Sequence, residues 1–226
     1  FYDTGLVLHM DGLQLPPGAV GCALSHFRVW EAVASLQLET EEAQICAVVL
    51  EDDLVAAVPD LHARLREILA QLPVDWDLCY VGFHTDQAVQ MAGLRSIKDG
   101  SYDFAARLDI QAATSEVCGT FAYLLSPKGA RRLLEEGMVF PLAQQKQLDG
   151  AMSSVFDRLS VWKTPEARPL FYSPQSQSVT SESDVQHRYY GPLEKQWMTY
   201  RKVVLEAMHE LDRVAESMPG IVVSTL

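Results

Sequence analysis

Apolar positions recur along the chain in two rhythms, and each change of rhythm marks a change of element. After the turn residues Pro16, Pro17 and Gly18, the positions Val20, Leu24, Phe27, Trp30 or Glu31, and Ala34 fall three or four apart. That spacing predicts a helix over about 18–37 with one face inward. A polar stretch, 39–44, leads to Ile45-Cys46-Ala47-Val48-Val49-Leu50, an apolar run with no polar face. It predicts a strand covered on both sides. Pro59 and Asp60 then punctuate the chain, and Leu61, Leu65, Ile68, Leu69 and Leu72 return to helical spacing. Asp60 is a suitable N-cap for that helix. Asp77–Gly82 predicts a second buried strand. The strand–helix–strand unit predicts a parallel, right-handed crossover.

Beyond it, residues 84–107 mix Gly, Asp, Ser and Lys without a period, as an active-site loop region would. Strands are expected near 108–113 and over 120–125. Ser126-Pro127 pairs an N-cap with the favoured first-turn proline, and Gly137 ends the helix that follows. A helix near 147–157 and short strands near 159–163 and 169–172 complete this region. Residues 173–184, rich in Ser, Gln and Thr, read as a loop or lid. Over about 192–218, Leu193, Trp197, Tyr200, Val204, Ala207, Leu211, Val214 and Met218 alternate in steps of four and three, a heptad seam. Such a helix either packs on its own domain or pairs two copies into a homodimer. The expected organisation is an α/β domain over 1–190, a mainly parallel sheet flanked by helices, followed by a helix and tail over 191–226.

Composition narrows the function. The net charge of −12 argues against nonspecific nucleic-acid binding, which needs a basic surface. No apolar run approaches the roughly 18 residues of a membrane span. The four cysteines contain no Cys-x-x-Cys pair and are too sparse for a disulfide framework. There is no Asn, hence no N-glycosylation acceptor, which favours the cytoplasm over a secretory lumen. The chain starts at Phe1 and shows no signal peptide.

The candidate chemistry sits where the first buried strand ends, in Glu51, Asp52 and Asp53. Ligands of open α/β sheets bind at that edge. Three adjacent carboxylates repel unless solvent or a cation relieves them, and a hard divalent metal holding a phosphate would do so. Solvated acids at a helix start are the plainer reading.

Three stretches together carry a resemblance. They are Pro17-Gly18-Ala19-Val20-Gly21-Cys22-Ala23-Leu24-Ser25-His26 with Trp30; Val48-Val49-Leu50-Glu51-Asp52-Asp53 with Asp75-Trp76-Asp77-Leu78-Cys79-Tyr80-Val81-Gly82; and Gly119-Thr120-Phe121-Ala122-Tyr123-Leu124-Leu125-Ser126-Pro127-Lys128-Gly129-Ala130. In order and spacing they resemble glycosyltransferase family 25, which includes lipopolysaccharide-type and procollagen galactosyltransferases. The resemblance covers roughly residues 15–190. It implies a GT-A-type fold with a Rossmann-type sheet, a nucleotide-sugar donor (commonly UDP-galactose), a glycan or hydroxylated acceptor, and inversion at the anomeric carbon. It makes Glu51 and Asp53 ligands of Mn²⁺ or Mg²⁺, with Asp52 between them at the diphosphate. Asp149 becomes the candidate base, with a helix N-cap as its plain alternative. Ser25 and His26 match the family's Ser-His pair and join the donor site, although a buried helical histidine is more often a packing residue. Gly119 allows the backbone to approach the ligand. Ser183-Asp184-Val185 matches a late family element or forms an Asx turn. Arg131 and Arg132 either reach a phosphate or lie on a solvated face. The family pattern places a strand and helix ahead of the Ser-His helix, and the sequence is expected to lack that first unit. The leading reading is therefore a metal-dependent inverting hexosyltransferase. A non-catalytic glycosyltransferase-like binding or assembly module is the second, and a metal phosphohydrolase, lacking any companion nucleophile motif, the third.

Overall fold

A computed structural model describes residues 17–36, 46–52, 54–84, 95–96, 103, 106–137, 146–168, 170–172 and 221–225. Helix α1 (Pro17–Ala34) leads to strand β1 (Cys46–Leu50) and the short β2 (Val55–Ala56). Helix α2 (Leu61–Leu69) and strand β3 (Leu78–His84) follow, then β4 (Gln111–Ala112) and β5 (Cys118–Leu125). Helices α3 (Pro127–Gly137) and α4 (Leu148–Ser153), a 3-10 turn (Phe156–Arg158), and strands β6 (Val161–Lys163), β7 (Phe171–Tyr172) and β8 (Ile221–Thr225) complete the order.

Six strands form one open sheet in the order β4-β6-β3-β5-β1-β8, and β2 pairs with β7 separately. The sheet is mixed, which corrects the mainly parallel expectation. β5 lies between β1 and β3 and runs antiparallel to both, while β6 and β8 pair parallel with β3 and β1. β1 and β3 therefore point the same way, as the crossover requires, but are not neighbours. The reason lies in the connection between β3 and β5. After contributing β4 beyond β6, the chain returns beside β3: His84, the last residue of β3, pairs with Cys118, the first of β5. Apolar runs covered on both faces read alike in either direction, and the sequence pattern carries no sign of the reversal.

A period of two splits each central strand between two cores. Ala47, Val49, Leu78, Tyr80, Tyr123 and Leu125 face the side that holds α1, α3 and α4. Cys46, Val48, Cys79, Val81, Ala122 and Leu124 face the other side, where α2 contributes Leu65 and Ile68. Each fully buried aliphatic side chain of this kind contributes about 2 kcal/mol. The predicted cap of α2 is present: Asp60 accepts a hydrogen bond from the Ala63 backbone N–H at 3.0 Å.

α3 is fixed at its start. Ser126 Oγ accepts from the Gly129 backbone N–H at 2.9 Å, and the Ser126 backbone N–H donates to the Asp77 carbonyl at 3.1 Å. Asp77 is fully buried. Its carboxylate pairs with Lys128 (3.0 Å) and Arg132 (2.6 Å) and accepts the Ser160 backbone N–H at 2.8 Å. Arg131 donates to the Ala34 carbonyl at 3.0 Å. Arg131 and Arg132 thus tie α3 to its neighbours and do not serve as a free phosphate clamp.

The expected strand at 108–113 shortens to β4, and the helix at 147–157 ends as α4 at Ser153 before the 3-10 turn. Strand β8 falls in what the sequence suggested was only a tail. The heptad helix at 192–218, the lid at 173–184 and Ser183-Asp184-Val185 lie outside the described residues. Among the described residues no helix is long and apolar enough to cross a membrane.

Candidate functional site

The C-terminal ends of β1 and β3 share one sheet edge with the start of β5. Leu50 pairs with Ala122, and the Glu51 backbone N–H donates to the Phe121 carbonyl at 2.9 Å. The strand period that turns Ala47 and Val49 toward α1 turns Glu51 the same way. Its side chain is 28% exposed and bends inward. The Thr120 hydroxyl donates to Glu51 Oε1 at 3.1 Å, and His26 Nε2 stands 3.4 Å from the same oxygen. Asp52 is exposed, and Asp53 lies outside the described residues.

His26 is fully buried on the inward face of α1, four residues after Cys22. Its Nδ1 lies 2.8 Å from the Tyr123 hydroxyl, which accepts the Trp30 indole N–H at 2.8 Å. An indole N–H only donates, so it uses a lone pair of Tyr123. Each ring nitrogen of His26 thus faces an oxygen, Tyr123 Oη at Nδ1 and Glu51 Oε1 at Nε2. Burial pushes the Tyr123 hydroxyl well above its usual range, so it stays protonated. Trp30, Tyr123, His26 and Glu51 form one continuous polar chain through the core to the sheet edge. Ser25 is half-buried beside His26.

Asp149 reaches the same edge from the other direction. The N-cap of α4 is Gln147, so Asp149 belongs to the first turn and is not the cap residue. Its Oδ2 accepts the Gly119 backbone N–H at 2.9 Å and its Oδ1 accepts the Gly150 N–H at 2.7 Å. Gly119 has φ +83°, a conformation side chains rarely adopt, and a Cβ there would lie 2.8 Å from His84 Cδ2. Its role is to turn an N–H toward Asp149 beside a packed ring. Asp149 also lines an open cleft of about 490 Å³ with Glu116, Lys146, Gln147, Gly150 and Ser153. Cys118, at the start of β5, is exposed, and partial burial with the charges of Asp149 and Glu116 pushes its thiol up.

The structure brings Glu51 together with His26, and Asp149 together with Gly119. Consecutive residues of β5, Gly119 and Thr120, hold the two acids. Sequence reasoning did not single out Thr120, Tyr123 or Lys146. A usable signal existed for the first two, since they are the hydroxyl-bearing residues of an otherwise apolar strand. Lys146 carried none, because its place in the cleft depends on how α4 packs against β5.

The family model described as glycosyltransferase family 25 (LPS biosynthesis protein) matches residues 8–146. Similar proteins include the probable inactive glycosyltransferase 25 family member 3 of Bos taurus, 29% identical over 76% of this chain and 28% of its own length. Procollagen galactosyltransferase 1-B of Xenopus laevis is 29% identical over 65% of this chain and 21% of its own. The glycosyltransferase 25 family member of Drosophila pseudoobscura pseudoobscura is 31% identical over 62% and 20%. The chain spans about a quarter of the length of these curated relatives. No solved structure matches it. With the family model covering well over half of its residues, the chain belongs to glycosyltransferase family 25.

Proposed function

We propose that the chain carries the donor-binding region of a GT-A-type, metal-dependent, inverting hexosyltransferase. The donor would be a nucleotide sugar, UDP-galactose first, and the acceptor a glycan or hydroxylated side chain. One observation carries the reading: acids from β1 and α4 converge on consecutive residues of β5 at the edge where β1 and β3 end. That edge is where α/β sheets receive their ligands. The galactosyltransferase name of one relative supports the choice of sugar.

The donor set suits a hard divalent cation. Both described contacts of Glu51 fall on Oε1, and the next residue, Asp52, is exposed. Glu51, Asp52 and Asp53 would hold Mn²⁺ or Mg²⁺. When bound, such an ion offsets the charge developing on the departing diphosphate. Lys146, on the cleft wall, is a second positive charge for the diphosphate. Asp149 would take the proton of the acceptor hydroxyl as it attacks the anomeric carbon. Asp53→Ala should lower Mn²⁺-supported transfer by roughly 100-fold. Equal transfer by both proteins would remove the metal role. Thermal shifts with a panel of UDP- and GDP-sugars identify the donor.

A second reading is a binding module without turnover. Asp149 has a backbone N–H on each oxygen, and some relatives carry "inactive" in their names. Calorimetry with UDP and Mn²⁺ separates the two: heat without product formation favours the module.

A further inference from the structure

We propose that Cys22, His26 and Glu51 form a second, softer cation site that takes Zn²⁺, on the inward side of the acidic turn. It is independent of whether the chain transfers sugar.

The three side chains each offer a ligand atom, and these atoms lie within 4.8 Å of one another. Two come from one helix: Cys22 and His26 are four residues apart on α1 and so share a face. The third comes from the end of β1. The set is chemically mixed, with one thiol, one imidazole and one carboxylate. Thiolate and imidazole favour zinc over the oxygen-seeking Mn²⁺ and Mg²⁺.

The spacing of His26 and Glu51 also suits a shared ion. Their N···O separation of 3.4 Å lies beyond a good hydrogen bond. Two ligands about 2.0–2.1 Å from one tetrahedral zinc stand roughly 3.3–3.5 Å apart. The surroundings also match those of a metal-bound histidine. The Tyr123 contact at Nδ1 turns the ring so that Nε2 faces Glu51, and zinc-binding imidazoles are held by such a partner on the second nitrogen. With Nε2 on the ion, Nδ1 would carry the ring proton and the Tyr123 hydroxyl oxygen would accept it. Cys22 binds as thiolate and releases its proton to solvent. Three protein ligands leave the fourth position to water. Glu51 would then use Oε1 for this ion and Oε2 for the hard cation, a bridging carboxylate between two different metals.

The test uses the full chain, reduced and stripped with a chelator, then titrated with Co²⁺ as a spectroscopic stand-in for zinc. The expected result is one equivalent bound, with a thiolate-to-cobalt charge-transfer band and the intense visible bands of four-coordinate cobalt, both lost when Zn²⁺ is added. Cys22→Ser should abolish the charge-transfer band and weaken cobalt binding by about 100-fold or more. Cys118→Ser, at the exposed cysteine, should change neither. The proposal is overturned if the parent shows no thiolate band, if the band survives in Cys22→Ser, or if it disappears only in Cys118→Ser. As a second readout, Zn²⁺ should raise the melting temperature of the parent and not of Cys22→Ser. Loss or absence of transferase activity alters none of these outcomes, so the two proposals fail separately.

Discussion

Two glycine-to-alanine substitutions, both in helices, should act with opposite signs. Alanine is the better helix former by about 1 kcal/mol. At Gly21 on α1, no atom of the described residues beyond its chain neighbours and its own helix backbone lies within 4 Å of the position a Cβ would take. Gly21→Ala should therefore stabilise the protein by about 0.5–1 kcal/mol. At Gly129 on α3 the same Cβ would lie 2.1 Å from the Asp77 carbonyl oxygen and 2.8 Å from Asp77 Cα. These are backbone atoms and cannot rotate away. The first turn of α3 must lift, and lifting it stretches the Ser126 N–H bond to that carbonyl and the ion pairs of Lys128 and Arg132 with Asp77. Overpacking costs about 1–3 kcal/mol and each lost hydrogen bond about 1 kcal/mol. Set against the propensity gain, the net destabilisation is about 2–4 kcal/mol. For a chain of this size that is a fall of about 5–15 °C in Tm. Thermal and urea denaturation followed by circular dichroism measure both variants. A Gly129→Ala protein that melts at or above the parent would refute the docking of α3 on Asp77.

Three further perturbations probe the core and the sheet edge. Asp77→Ala removes the buried partner of two cations and the acceptor of the Ser160 N–H, and should lower stability by about 3 kcal/mol in urea titrations; a loss under 1 kcal/mol, on the order of a surface pair, would contradict the network. Thr120→Val deprives Glu51 of its hydroxyl donor and should cost about 1 kcal/mol, whereas Thr120→Ser should match the parent; identical losses in both would point to packing instead. Cys118 should be the exposed thiol that alkylates, while burial raises Cys46 to about 11 and Cys79 further. Because partial burial, Asp149 and Glu116 raise the Cys118 pKa, its rate should climb at higher pH than that of a free thiol. Asp149→Asn should move the profile to lower pH, and an unmoved profile would separate the two side chains.

Much of the local architecture was legible because it follows from spacing and capping. The helix at α2 with its Asp60 cap, the strand at β1, and the Ser126-Pro127 start of α3 rest on interactions within a few residues of one another. Strand direction was not legible, because β5 has the same apolar signature whichever way it runs. The inward turn of Glu51 was only half legible. Counting by twos from Ala47 gives its face, but the partners waiting there, His26 and Thr120, come from distant parts of the chain. The role of Asp77 was hidden for a similar reason: it read only as the first residue of a buried strand, and its partners Lys128 and Arg132 lie some fifty residues on. Asp149 was expected as either base or cap. Its two backbone donors make it neither a cap residue nor an unconstrained carboxylate.

The pairing of His84 with Cys118 has a consequence for engineering. Across that rung the intervening chain is an insertion into a hairpin, pinned at both ends by the sheet. Lengthening such an insertion is cheap, about 0.6 kcal/mol per doubling of loop length. Its first half can therefore be exchanged for segments of other sizes while the rungs from Leu78 to His84 keep their partners. The acids at the sheet edge would stay in place through such an exchange, because their anchors lie at Gly119 and Thr120, downstream of the graft. The length of the connection can thus change without rebuilding the edge itself.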